Sequence, residues 1–199
     1  MIYSKKLYIC LTKRFNAFCS CSLNQMKKLV YILVSILFCT SWIADRPSAS
    51  EEASAKIKAI YIYNFTKYIE WPDNYKQGNF VIGVMGNNLS LINELNKMAA
   101  SKTVGAQKLE IKNITSADAV CHIIYLLSTN SAQLAEVVDK IKNKSTLIIT
   151  DRAGLATKGA GINFVIQENK QKIELNKSNI EKYKLKVASS LVELAIQVK

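Results

Sequence analysis

At 199 residues, 49% of them apolar and only two of them proline, the chain is long enough for one domain with a real core plus an appendage. Its net charge of +12 falls to +6 once the first 50 residues are set aside, and no aromatic-interleaved basic patch accompanies that charge, which argues against a nucleic-acid partner. Four of the five cysteines (Cys10, Cys19, Cys21 and Cys39) also lie in those 50 residues, so the remainder keeps Cys121 alone and has no partner for an internal disulfide.

Residues 26–50 have the form of a secretory signal. Met26-Lys27-Lys28 supplies the positive start, Leu29 to Cys39 the apolar run, and Ser48-Ala49-Ser50 a small-residue cleavage site before Glu51. The run stops well short of the roughly 18–20 residues that span a bilayer. Residues 1–50 are therefore expected to be an extension and signal segment: either the signal has a long n-region or translation begins at Met26, the second being preferred. Residues 51–199 are expected to be a single domain in an oxidising compartment.

The stretch Lys56 to Pro72, KIKAIYIYNFTKYIEWP, opens that domain. Ile57, Tyr61, Phe65 and Tyr68 recur at helical spacing, and Ile60, Ile62, Tyr63 and Ile69 fill most of the remaining circumference. The pattern predicts a helix buried on several sides and ended by Pro72, which disfavours helical backbone at Trp71.

Phe80 to Met85 is a short apolar run suited to a strand covered on both faces. Leu91, Ile92, Leu95 and Met98 mark a helix with Ser90 as its N-cap. A strand over 107–112 and an apolar run over 121–127 follow, then a helix marked by Leu134, Val137, Val138 and Ile141, and a strand over 146–150. Ile162 to Ile166 and Lys172 to Leu175 flank the polar turn Glu168-Asn169-Lys170 and read as an antiparallel hairpin. Ala188, Leu191, Val192 and Ala195 give a closing helix an apolar stripe. The alternation predicts an α/β layered sandwich: a mixed β-sheet flanked by helices, closed by a C-terminal hairpin plus helix.

Residues that could carry chemistry are few. Among residues 51–199, His122 is the only histidine and Cys121 the only cysteine, too few for a four-ligand Cys/His zinc site. Being adjacent in a strand, the two point to opposite faces and make no nucleophile–base pair. Gly83-x-x-Gly86 lacks a full dinucleotide fingerprint and reads as a turn. Asp151, just after a strand, has no second acid or base to work with and reads as a turn or cap residue. No catalytic, cofactor or metal site is expected, and the chain is read as a non-enzyme.

Tyr61-x-Tyr63-Asn64-Phe65-x-x-Tyr68-x-Glu70-Trp71-Pro72 resembles the opening signature of the YfiR-like family of secreted bacterial proteins. The resemblance continues through Phe80 to Gly86, Cys121 to Tyr125, Gly161-Ile162-Asn163-Phe164, Ile173-Glu174-Leu175-Asn176 and a helix over 185–195. It implies an α/β sandwich in the periplasm that binds the sensor part of an inner-membrane diguanylate cyclase and represses it, lowering cyclic-di-GMP and biofilm formation. A homodimer is also compatible with it.

The signature residues Tyr63, Asn64, Phe65, Glu70, Trp71, Pro72, Gly161, Asn163, Phe164, Glu174 and Asn176 are expected to be mostly structural, their polar members forming a buried hydrogen-bond framework that fixes the helix against the hairpin. Redox-responsive members carry several cysteines in the mature domain. Here Cys121 stands alone, which removes an internal switch and leaves an intermolecular bridge as its only redox role. The alternative reading is a periplasmic module with a small-ligand pocket near Gly83 to Asn88.

Overall fold

The computed structural model describes residues 48–199, so the expected extension and nearly all of the signal segment lie outside the described residues. Helix α1 (Ala49–Tyr68) begins and ends earlier than its pattern predicts. The Ser48 hydroxyl accepts from the Glu51 N–H at 3.2 Å, and Glu51 and Glu52 sit at the positive end of the helix dipole. The expected boundary before Glu51 therefore falls inside the first helical turn.

At the other end Pro72 is not the terminator. Ile69 turns extended (φ −116°, ψ 129°) and forms, with Glu70, the short strand β1, which pairs antiparallel with Lys186 and Val187. Burial of Ile69 and Trp71 outweighs another turn of helix, and the restriction before proline acts too late to set the end. Nor is α1 covered all round. Ala55, Ala59, Ile62, Phe65 and Thr66 make its buried face, while Ile57 and Ile60 are 43% and 45% exposed.

Strand β2 (Phe80–Met85) is buried along its whole length and leads into α2 (Leu89–Ala99). The cap of α2 is Asn88, whose Oδ1 accepts from the Leu91 N–H at 2.8 Å, rather than Ser90. Strands β3 (Thr103–Val104) and β4 (Gln107–Ile114) form a tight antiparallel pair. Strand β5 (Ile123–Leu126), a 3₁₀ turn at Ser128–Gln133, helix α3 (Leu134–Lys140) and strand β6 (Leu147–Thr150) follow. The expected hairpin is β7 (Ile162–Gln167) and β8 (Lys170–Leu175), joined by Glu168 and Asn169, both with left-handed backbone as a two-residue type I′ turn requires.

The end of the chain is more broken than its apolar stripe predicts. Helix α4 (Lys177–Glu181), strand β9 (Lys186–Val187), helix α5 (Ser189–Leu194) and strand β10 (Ile196–Gln197) replace a single closing helix. The reason is β1: Val187 pairs with Ile69 and the Ala188 N–H donates to the Tyr68 carbonyl at 2.8 Å, so helix cannot start before Ser189.

The main sheet runs β10-β8-β7-β6-β5-β2-β4-β3. From β4 to β7 neighbours are parallel, β8 is antiparallel to β7, and β10 is parallel to β8. This is the mixed-sheet α/β sandwich that the alternation predicts. The inner order β4-β2-β5-β6-β7 is the doubly wound 2-1-3-4-5 arrangement. Right-handed crossovers running in opposite directions from β2 place α2 and α3 on opposite faces, and α1 packs beside α2.

Gly161 shows how tight the junction of β6, β7 and α4 is. A Cβ there would lie 2.6 Å from Ile180 Cγ1 and 3.0 Å from Leu147 Cδ1. Gly161→Ala is expected to destabilise the domain by about 1–3 kcal/mol through overpacking, measured as a lower urea midpoint at unchanged m-value.

Candidate functional site

Between α1 and the C-terminal elements runs a groove of about 250 Å³. Its floor is the packed joint of α1 on the hairpin. Phe65 and Tyr61 lie 6.1 and 6.0 Å (ring centroids) from Phe164 on β7, which in turn meets Tyr125 of β5 at 6.3 Å. Tyr61, Asn64, Phe65 and Tyr68 form one wall, Gln171, Lys172 and Ile173 of β8 the second, and Leu191, Leu194 and Ile196 the third. Leu194 is 72% exposed on this rim. On a helix, positions three and four apart share a face, so Ile57 and Ile60 continue the stripe of Tyr61, Asn64 and Tyr68 outward from the groove. Exposed apolar residues gathered on one face mark a protein contact more often than scattered surface leucines do.

A clasp holds the N-terminal half of α1 to the sheet. Asp151, just past β6, accepts through Oδ2 from Lys58 Nζ at 2.8 Å and from the Tyr125 hydroxyl at 2.7 Å. Its Oδ1 is buried without a donor. Burial and the neighbouring carboxylate push the Tyr125 hydroxyl pKa far up, so it stays a donor throughout the physiological range.

A second cluster centres on His122. Its Nδ1 accepts from the Val81 N–H at 3.0 Å, which leaves Nε2 to donate to the Tyr75 carbonyl at 2.8 Å. The ring stacks on Phe80 at 4.3 Å, while Trp71 stands edge-on to Phe80 at 4.9 Å and donates from Nε1 to the His122 carbonyl at 3.3 Å. The imidazole is a strap between loop and strand, held neutral by burial, and no acid or nucleophile touches it.

The YfiR/HmsC-like family model matches residues 55–196, nearly the whole described domain. The chain belongs to that family. No curated protein matches it. Among solved structures it is similar to a conserved domain protein from Vibrio cholerae O1 biovar El Tor, with 15% identity and a TM-score of 0.50. That match covers 73% of this chain and 60% of the Vibrio structure, so the chain spans less than two thirds of its relative and shares with it a fold. An ABC domain in complex with L-Trp from Streptococcus pneumoniae, 11% identical with a TM-score of 0.45 over 61% of this chain and 55% of its own, is too distant to carry any argument. YfiR-like proteins are regulators that act with membrane cyclases, and no group of three His, Cys, Asp or Glu among the described residues is placed to hold a metal.

The family's signature residues do not meet in one place. Phe65 and Asn64 line the groove, and Phe164 packs against Phe65. Tyr63 turns away and donates to the Thr103 carbonyl at 3.3 Å, with Lys67 over its ring. Trp71 belongs to the His122 cluster. Exposed Glu70 pairs loosely with Lys76 and Lys186, each at 3.8 Å, and Pro72 opens the following 3₁₀ turn, its carbonyl accepting from Tyr75 N–H. Asn163 is fully buried between the Thr150 hydroxyl at 2.7 Å and Glu174 Oε2 at 2.8 Å. Asn176 caps α4 and donates to the Ala156 carbonyl at 3.0 Å.

Of the five polar signature residues, Asn163, Glu174 and Asn176 make hydrogen bonds among β6, β7, β8 and α4, whereas Glu70 is exposed and Asn64 lines the groove. The expected tie between α1 and the hairpin is aromatic instead, because alternation along β7 turns Asn163 away from the face that carries Phe164. The Lys58–Asp151 contact spans 93 residues and left no trace in local sequence pattern. Cys121 is fully buried, its Sγ 3.0 Å from the place a Cβ on Gly83 would take, and burial raises its thiol pKa. A bridge to a second chain would need the start of β5 to open. The crevice above Gly86, part of the expected ligand pocket, is filled by Asn130, whose Oδ1 would be 2.5 Å from an added Cβ.

The His122 strap carries a pH dependence. Its pKa is lowered by burial from the ordinary 6.5, so the unfolded chain takes up a proton that the folded one refuses. The contribution of His122 to stability is complete above about pH 6.5 and is lost as pH falls toward the lower folded-state pKa. A melting-temperature profile from pH 7.5 to 4.5 is expected to drop on this limb. His122→Gln, which titrates nowhere in that range, is expected to flatten the drop while lowering stability at pH 7.5.

Proposed function

We propose that this chain is a secreted regulator that binds the periplasmic segment of an inner-membrane diguanylate cyclase and holds the enzyme inactive. The single observation that carries the reading is the open apolar groove between α1 and α5, on a domain that belongs to the YfiR/HmsC-like family. A groove walled by Tyr61, Tyr68, Ile173, Leu191 and Leu194 suits the apolar face of a partner helix laid along α1. Seated there, the partner's segment is kept from the conformation in which its cytoplasmic catalytic parts meet. The rate-determining chemistry stays in the partner, and the domain supplies steric restraint.

Secretion uses the signal at residues 26–50, with cleavage near Ser50. Removing Ser48 costs α1 its side-chain cap and leaves Glu51 and Glu52 to complement the helix end.

A specific observation also supports a small-ligand reading, at a place other than Gly83 to Asn88. A hollow of about 430 Å³ lies between Trp71, Phe80, Val104 and Gln107, with Lys67, Glu70 and Lys76 at its mouth, within the roughly 300–1,000 Å³ of small-molecule sites.

Titration of the purified protein with the periplasmic segments of the host's diguanylate cyclases tests the regulator. Saturable binding to one segment is expected, with cyclic-di-GMP raised when the gene is deleted. Leu194→Asp, exposed on the groove rim, is expected to weaken that binding about tenfold or more while leaving the melting temperature within a degree or two. Binding unchanged by this substitution removes the groove from the mechanism, and no binding to any segment removes the cyclase. A second copy of the chain is the competing occupant, recognised by a dimer in sedimentation that the same substitution dissociates.

A further inference from the structure

A polar cavity of about 200 Å³ opens between the turn that joins α3 to β6 and the turn that joins α4 to β9. Four lysines line it, Lys142, Lys144, Lys182 and Lys184, and no acid does. Two are already committed. Lys142 pairs with Asp139, and Lys144 Nζ donates to the carbonyls of Ala117 and Asp118 at 2.9 and 2.8 Å.

Lys182 and Lys184 have no acidic partner among the described residues, and the acids nearby are engaged elsewhere. Glu181 faces Lys177 at 3.5 Å, Asp73 holds Lys76 at 2.7 Å, and Glu70 is shared between Lys76 and Lys186. Unneutralised cations gathered in a concavity focus a positive potential and concentrate anions there. Lys184 moreover has left-handed backbone (φ 61°), a conformation that costs a lysine energy and a glycine none. The ammonium is thus presented at a position where a side chain is conformationally unfavourable.

We propose that this cavity is an oxyanion site in which Lys182 and Lys184 hold a phosphate group, with Asn74 and Asn143, which also line it, as further donors to its oxygens. Lysine binds phosphate as a compact point charge with three donors. At about 200 Å³ the cavity falls below the roughly 300–1,000 Å³ of sites for whole small molecules. It fits one phosphate, either free or carried at the surface of an anionic bilayer.

Calorimetric titration of the purified protein with inorganic phosphate, at constant ionic strength made up with chloride, tests the site. Co-sedimentation with phosphatidylglycerol–phosphatidylcholine vesicles, against phosphatidylcholine alone, tests the source. Saturable binding in at least one arm is expected. It should weaken about tenfold or more in the double variant Lys182→Gln, Lys184→Gln and stay unchanged in Lys108→Gln, Lys158→Gln. Lys184→Gly, which suits the left-handed backbone and so keeps the fold, is expected to lose affinity as well. Binding to phosphate without vesicle binding assigns the site to a soluble anion, and the reverse assigns it to a lipid headgroup. Absence of saturable binding in both arms, or binding that the double variant retains in full, overturns the proposal.

Discussion

Phe65 of α1 rests on Phe164 of β7, and the rest of the domain is arranged so that this contact can form. Phe164 is reached only because β7 continues past its short parallel pairing with β6 and doubles back as a hairpin. Phe65 is reached only because α1 lies lengthwise on the sheet, clasped at one end by Lys58 on Asp151 and anchored at the other by Ile69 and Trp71. Burying one phenylalanine side chain is worth about 1.5–3 kcal/mol, and the surrounding ring pairs add about 0.5–1.5 kcal/mol each. The clasp is largely buried, with Lys58 and Asp151 side chains 15% and 12% exposed, so removing one partner would leave the other's charge uncompensated.

The same joint explains why the surface beside it is open. With Phe65 and Tyr61 on Phe164, Ile57 and Ile60 face away from the sheet. The C-terminal elements that would cover the outward stripe of α1 are cut short by β9, which is drawn away to pair with β1. Tyr61 and Tyr68 are left half-covered and Leu194 is left in solvent, so the groove is a consequence of the chain closing on itself at β1–β9 rather than on α1.

His122 illustrates how a residue type associated with chemistry becomes structural. Both ring nitrogens are spent on backbone partners, Val81 and Tyr75, and the ring stacks on Phe80 with Tyr75 and Trp71 at steep angles beside it. Asp151 is used in a comparable way. It stands at the carboxyl end of a parallel strand, where α/β proteins often place working groups, yet its partners are a lysine and a tyrosine that together hold a helix.

Local pattern determined the sheet's inner strands, the hairpin and the layered α/β class, because continuous apolar runs and a polar turn between two short strands carry those features within a few residues. Motif spacing pointed to the family. What only the tertiary structure decided is where each element ends and which face it shows. The end of α1 and the breaking of the closing helix follow from pairing between Ile69 and Val187, residues 118 positions apart, and the exposure of Ile57 and Ile60 from the face that α1 turns to the sheet. An apolar stripe records that burial is available, but the choice of which stripe is buried belongs to the partner surface, and that surface is assembled only when distant segments meet.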